Sequence, residues 1–151
     1  MKKILIIGVI FLISNSLFSQ ELIEKEGKYY QNDELFTGLF KELNDDSILV
    51  SERNFLDGFE HGVSTYFYEN GNKFEQRTYN LGFKDGTWLT WNKNEIKTAE
   101  ANYTNDLKHG RWYIFDDNGN KRYEMHYHKG KKVGSWYMWD ENGKLISEKK
   151  F

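Results

Sequence analysis

The sequence predicts an all-β fold, an elongated single antiparallel meander sheet of 24-residue β-hairpin repeats stacked side by side. Three observations predict it. Glycine returns every 24 residues, at Gly38, Gly62, Gly86, Gly110 and Gly134. Aromatics keep the same beat at Phe55, Tyr79, Tyr103, Tyr127 and Phe151, and a tryptophan follows the glycine by two residues at Trp88, Trp112 and Trp136. Phe40 and Ser64 fill that tryptophan column in the earlier copies. Asn-Gly pairs at Asn70-Gly71, Asn118-Gly119 and Asn142-Gly143 supply the third signal, the dipeptide that favours tight hairpin turns. A unit of 24 residues cannot bury its own apolar surface, so copies must stack on neighbours.

The chain divides into three parts. Residues 1–19 read as a secretory signal peptide: Lys2 and Lys3, then the apolar run Ile4 to Ile13, then a more polar exit with Ser19 before the cut. The run is short for a membrane-spanning helix. Residues 20–37 are an N-terminal entry segment. Residues 38–151 hold five units, 38–61, 62–85, 86–109, 110–133 and 134–151. Two two-residue loops per unit leave room for two strands, and Asp57-Gly58, Leu81-Gly82, Asn105-Asp106 and Lys129-Gly130 are weaker turn signals between the Asn-Gly pairs.

Turn positions set the expected register. With Asn118-Gly119 as a two-residue turn, Phe115 faces Arg122, Tyr113 faces Glu124 and Trp112 faces Met125. One face then carries Trp112, Ile114, Tyr123, Met125 and Tyr127, the other Arg111, Tyr113, Phe115, Arg122, Glu124 and His126. The Lys129-Gly130 turn places Trp136 opposite Tyr123, again on the apolar face. The apolar column Leu43, Phe67, Trp91, Phe115, Trp139 falls on the wetter face, so either the sheet buries different faces at its two margins or a bulge near each strand start flips parity. Charges near both open edges, Lys149 and Lys150 at one end and Glu24 to Lys28 at the other, oppose edge-to-edge aggregation.

Composition excludes several functions. The formal charge of −2 becomes −4 once residues 1–19 are removed, which gives no basis for a nucleic-acid partner. Cysteine is absent, so disulfides, a thiol nucleophile and lipoprotein attachment are excluded. The acidic column Glu52, Gln76, Glu100, Glu124 and Glu148 reads as surface residues paired with cross-strand cations, since a flat sheet offers no pocket to raise a carboxyl pKa. Glu124, His126 and His128 alternate on one strand and could reach a metal, but the same positions elsewhere take Asn, Thr or Lys and read as solvated side chains. Asp116 to Asn120 lacks the spacing of a calcium loop. No cofactor and no catalytic residue are expected. The tryptophan column is expected to be a core ladder, and Tyr66, Tyr113 and Tyr137 are the candidate partner-binding residues, because amphipathic rings suit half-exposed sites.

The unit Gly110-Arg111-Trp112-Tyr113-Ile114-Phe115, with Asn118-Gly119-Asn120-Lys121, Glu124, Tyr127 and Gly130, resembles the MORN repeat variant. Lys108-His109-Gly110 and the entry from Tyr29-Tyr30 to Phe36-Thr37-Gly38 extend the resemblance over residues 28–151. Departures are Asn94-Glu95 in the third copy, Ser64 in the second and the Asn44-Asp45-Asp46 turn in the first. Bacterial members are often described as YwqK-family antitoxins. The resemblance implies a non-enzymatic scaffold whose partner is another protein, and export would make that partner an exported one, in the periplasm or outside the cell. Eukaryotic relatives have been linked to membranes and lipids, so a glycan or membrane surface is the alternative partner.

Overall fold

The structure, a computed structural model, describes residues 21–151; the expected signal segment 1–19 lies outside the described residues. Three N-terminal strands, β1 (Ile23–Lys25), β2 (Lys28–Gln31) and β3 (Glu34–Leu35), form a small antiparallel sheet. The first unit holds β4 (Gly38–Leu43), β5 (Leu49–Leu56) and β6 (Phe59–Glu60), and the second β7 (Gly62–Phe67), β8 (Lys73–Asn80) and β9 (Phe83–Lys84). The third holds β10 (Gly86–Trp91), β11 (Lys97–Thr104) and β12 (Leu107–Lys108), and the fourth β13 (Gly110–Phe115), β14 (Lys121–His128) and β15 (Lys131–Lys132). β16 (Ser135–Trp139) and β17 (Leu145–Lys150) complete the fifth. The ten longer strands lie side by side in chain order from β4 to β17, all antiparallel, while β6, β9, β12 and β15 each fold back onto the strand before them.

The expected meander is therefore present, but its turns exchange roles. Two-residue loops with both residues at positive φ form at Asp57-Gly58, Leu81-Gly82, Asn105-Asp106 and Lys129-Gly130. The Asn-Gly pairs instead close three-residue loops. Gly119 N–H donates to the Asp116 carbonyl at 2.9 Å and Asp116 N–H to the Asn120 carbonyl at 2.9 Å, with only the glycine at positive φ. This is a type I turn followed by a left-handed residue. The Asp116 side chain stabilises it by accepting from the N–H groups of Asn118 and Asn120. The short polar residues Asn44, Asn92 and Asp140 do the same in their units. A side chain that bonds its own turn thus supports the loop in four units, and in the second, where Tyr68 holds that position, the Asn70 side chain accepts from Asn72 N–H and the same loop forms.

Register follows the turns actually made. Trp112 faces Met125 and Tyr113 faces Glu124 as expected, but Phe115 faces Lys121, not Arg122. The register slips by one between Ile114 and Phe115, leaving Arg122 as the bulged residue, and the equivalent slip recurs in all five hairpins. A bulge at the start of each second strand is observed, but it reorients Lys121 and its equivalents and leaves the apolar column on the wetter face, where Phe115 and Trp139 pack beside Tyr113 and Tyr137 under the stems of Lys97 and Lys121. A second irregularity surrounds each repeat glycine. Phe55 faces Glu60, yet Glu52 faces Thr65, so two extra residues are absorbed around His61, Gly62 and Val63. By the same shift Met138, not Trp136, faces Tyr123. A slip of two preserves side-chain parity, so the predicted apolar face survives the changed register.

One position of the three-residue loop exposes a local cost. Gly71, Gly119 and Gly143 sit in the left-handed region, and the same position in the first and third units is Ser47 and Glu95, each at φ 61. A side chain there costs about 1–2 kcal/mol, against about 0.5–1 kcal/mol of unfolded-state freedom that glycine forfeits. Glu95→Gly is therefore expected to stabilise the protein by roughly 0.5–1 kcal/mol, read as a higher urea midpoint with unchanged slope. An unchanged or lower midpoint would contradict this account of the loop.

Candidate functional site

The sheet has two faces with different chemistry. On one face the rings Tyr79, Trp88, Tyr103, Trp112, Tyr127, Trp136 and Phe151 form an unbroken ladder, with successive centroids 4.7–5.4 Å apart and tilted or edge-on. These are the predicted tryptophan and tyrosine columns, and the structure places them together. A lysine from the turn margin covers every second step: Lys84 Nζ lies 4.5 Å from the Trp88 centroid, Lys108 4.4 Å from Trp112 and Lys132 4.5 Å from Trp136. Each also reaches the next tyrosine or phenylalanine. Such contacts contribute about 0.5–1 kcal/mol at exposed sites.

The indoles also bond the main chain. Trp88, Trp112 and Trp136 donate Nε1–H to the carbonyls of Thr78, Asn102 and His126 at 3.1, 2.9 and 3.1 Å. The irregularity at each repeat glycine opens the regular pairing there, and these carbonyls also accept the main-chain N–H groups of Asp85, His109 and Val133 at 3.1, 2.9 and 3.0 Å, so each indole is a second donor to an acceptor with two lone pairs. On the other side of the opening, Asn54, Thr78 and Asn102 side chains donate to the carbonyls of Val63, Thr87 and Arg111. The column holding His126 is thus a bulge-supporting position in three units. His126 itself bonds Glu124 at 3.1 Å, and His128 stacks on His109 at 5.1 Å, so the alternating histidines turn to separate partners.

The ladder is interrupted once, at Ser64. There the pattern inverts: Glu60 stands where the later units have lysine, and Arg53 and Arg77 stand where they have Ala101 and Met125. Arg53 Nε bonds Glu60 at 3.1 Å, with the two side chains only 17% and 15% exposed, and Arg77 bonds Glu75 at 2.6 Å. The guanidinium groups take over the missing ring's role, Arg53 lying 5.0 Å from the Phe55 centroid and Arg77 5.1 Å from Trp88. Ser64 and Ser51 are fully buried beneath this cluster. Burial opposes the charge on Arg53, but Tyr29 and Glu60 outweigh it and leave the guanidinium more basic than usual. At the N-terminal end, Tyr29 and Phe36 cover Phe55 at 4.8 and 5.6 Å. Phe55 is the one fully buried apolar residue among those described.

The opposite face carries the other candidates. Tyr113 and Phe115 lie 6.1 Å apart, and Tyr137 and Trp139 5.8 Å apart, all half-buried. Lys121 Nζ sits 4.2 Å from the Trp139 centroid and 2.8 Å from Glu124. The bulge makes this possible by turning Lys121 to the side of Glu124 three residues on. Cross-strand pairing of the acidic column, expected throughout, occurs for Lys41 with Glu52, whereas Glu100 and Glu124 pair with Lys97 and Lys121 of their own strands. Burial pulls the Glu124 carboxyl upward, but hydrogen bonds from Lys121 and His126 prevail and hold it below its ordinary value. Tyr66 is not on this face. It lies on the ladder side under Arg77, 4.4 Å from its ring, so the three candidate tyrosines do not form one surface. Among the described residues no three His, Asp or Glu side chains converge as a metal site.

Two measurements test the cluster around Ser64. Glu60→Ala leaves Arg53 buried without its carboxylate and should cost about 2–3 kcal/mol, less than the figure for a fully buried pair because both groups touch solvent. Adding Arg53→Ala should restore part of that loss, and a strictly additive double variant would refute the coupling. Tyr79 is pushed up to about 12, first by burial and then by the nearby Glu60 and Tyr66. Its neutral form is favoured by folding, so the associated stability is complete below the unfolded value and is lost as pH rises through the folded one. Melting temperature should fall more steeply from pH 10 to pH 12 in the natural protein than in Tyr79→Phe.

No curated protein matches the chain. Residues 60–81, 108–129 and 132–151 match the family model described as MORN repeat variant. These three segments contain Gly71, Gly119 and Gly143, whereas the two unmatched units carry Ser47 and Glu95 in the left-handed loop position. The unmatched units nonetheless share the strands, bulges and turns of the others, so the architecture is one array of five like units, three of which match the MORN repeat variant.

Proposed function

We propose that this protein is an exported, non-catalytic scaffold that binds another protein along the face bearing Tyr113 and Tyr137. The observation that carries this reading is a row of half-exposed rings at Tyr113, Phe115, Tyr137 and Trp139, held rigid by the sheet and rimmed by Lys97, Lys121 and their glutamates. Aromatic anchors within a polar rim are the composition of binding hot spots, and a rigid sheet gives up little freedom on association. Modules of this repeat type serve in general as protein- or membrane-binding units. The narrower assignment, neutralisation of an exported toxin, follows from the family resemblance. Export follows from the Lys2-Lys3 and Ile4 to Ile13 pattern.

A second reading, a cell-envelope glycan- or lipid-binding module, is favoured by the same rings. Paired aromatics about 6 Å apart present flat apolar surface of the kind that stacks on sugars. The two readings separate in one experiment. Pull-down of the mature protein from envelope and medium fractions should recover a protein partner, and Tyr113→Ala with Tyr137→Ala should weaken capture at least about tenfold. Recovery that ignores both substitutions would refute the assigned face. Glycan-array or liposome binding that they abolish would transfer the assignment to the second reading. Mass spectrometry of the exported form should find its N-terminus at Gln20; a chain retaining residues 1–19 in the cytoplasm would overturn export.

A further inference from the structure

We propose that two copies of this chain pack ladder face to ladder face, antiparallel along their long axes. The ladder face is apolar and has no second layer, whereas stable sheets bury one face against another element. Ile114 and Tyr123, adjacent on that face, remain 42% and 37% exposed. Ten strands about 4.8 Å apart and some six residues long present roughly 1,000 Å² per copy, above the roughly 800 Å² per partner of a standard interface.

Charge chooses the partner and the direction. Residues 21–60 hold eleven Asp or Glu against four Lys or Arg, and residues 121–151 hold eight Lys or Arg against four Asp or Glu. The acidic end of one copy therefore suits the basic end of another. On the ladder face itself the first two units are balanced, Glu42, Glu60 and Glu75 standing beside Arg53, Arg77 and Lys84, while the stretch from Trp88 to Phe151 puts lysines and no carboxylate on that face, so packing basic end on basic end is disfavoured. A two-fold axis through the third unit sets Lys149 and Lys132 of one copy over the glutamate-bearing units of the other, and Ala99 and Ala101 at the centre allow close approach. Such a contact is isologous and closes at two copies. It leaves Tyr113 and Tyr137 facing outward.

Sedimentation and light scattering of the purified protein should give twice the chain mass, with the dissociation constant rising several-fold between about 0.05 M and about 0.5 M salt as the charges are screened. Ile114→Arg should yield a monomer with an unchanged circular dichroism spectrum, and Tyr123→Ser provides the same test should the first variant unfold. Val63→Arg, on the opposite face, should leave the dimer intact. Carbodiimide coupling should join Lys149 of one copy to the exposed Glu42 of the other. The proposal is overturned by a monomer up to about 100 µM, where interfaces of this size are populated, or by a dimer that Val63→Arg breaks and Ile114→Arg spares. Mass that grows without limit through end-to-end pairing, or cross-links joining like ends, would overturn it equally.

Discussion

A ring in this protein finds its partner sideways, in the next strand, because there is no layer above to receive it. That constraint organises everything else. With one sheet and no opposing element, apolar surface leaves water only by lateral contact, so rings must recur at one height in every unit and touch their neighbours along the row. Each lysine that covers a Trp–Tyr step supplies a methylene stem as well as a charge, acting as a partial roof. The 24-residue period is the spacing that keeps ring above ring while the chain makes two turns.

Holding the rings in line requires a departure from regular pairing. The slip of two residues at each repeat glycine opens the regular pairing, and the tryptophan indole adds a second donor to a carbonyl there that the main chain already bonds. The same residue thus fills space and adds a polar tie to the neighbouring strand, which phenylalanine in that column would lack. The slip of one residue at the start of each second strand works on the opposite face, turning Lys97 and Lys121 toward the glutamates and aromatic rings there.

Much of this was legible in the chain. Periodicity alone gave the all-β meander, the five units and the membership of the apolar face, because parity survives a slip of two. Loop type was not legible from dipeptides: Asn-Gly favours a tight turn in isolation, but Asp116 two residues earlier bonds the loop it prefers. The role of Ser64 was visible only as a departure. Its compensation lies at Arg53, Glu60 and Arg77, whose proximity depends on strand pairing rather than on sequence spacing. Tyr66 was grouped with Tyr113 and Tyr137 by chemical likeness, yet an odd separation in unit position puts it on the other side of the sheet.

The break at Ser64 has a consequence for how such arrays can grow. From the third unit onward every junction presents the same ring, roof and acceptor to its neighbour, so a duplicated unit could be spliced in without a mismatch. Between the first and second units the joint is a matched set of charges that no other joint would accept. Lengthening is thus permitted at one end of the molecule, and the other end behaves as a fixed foundation.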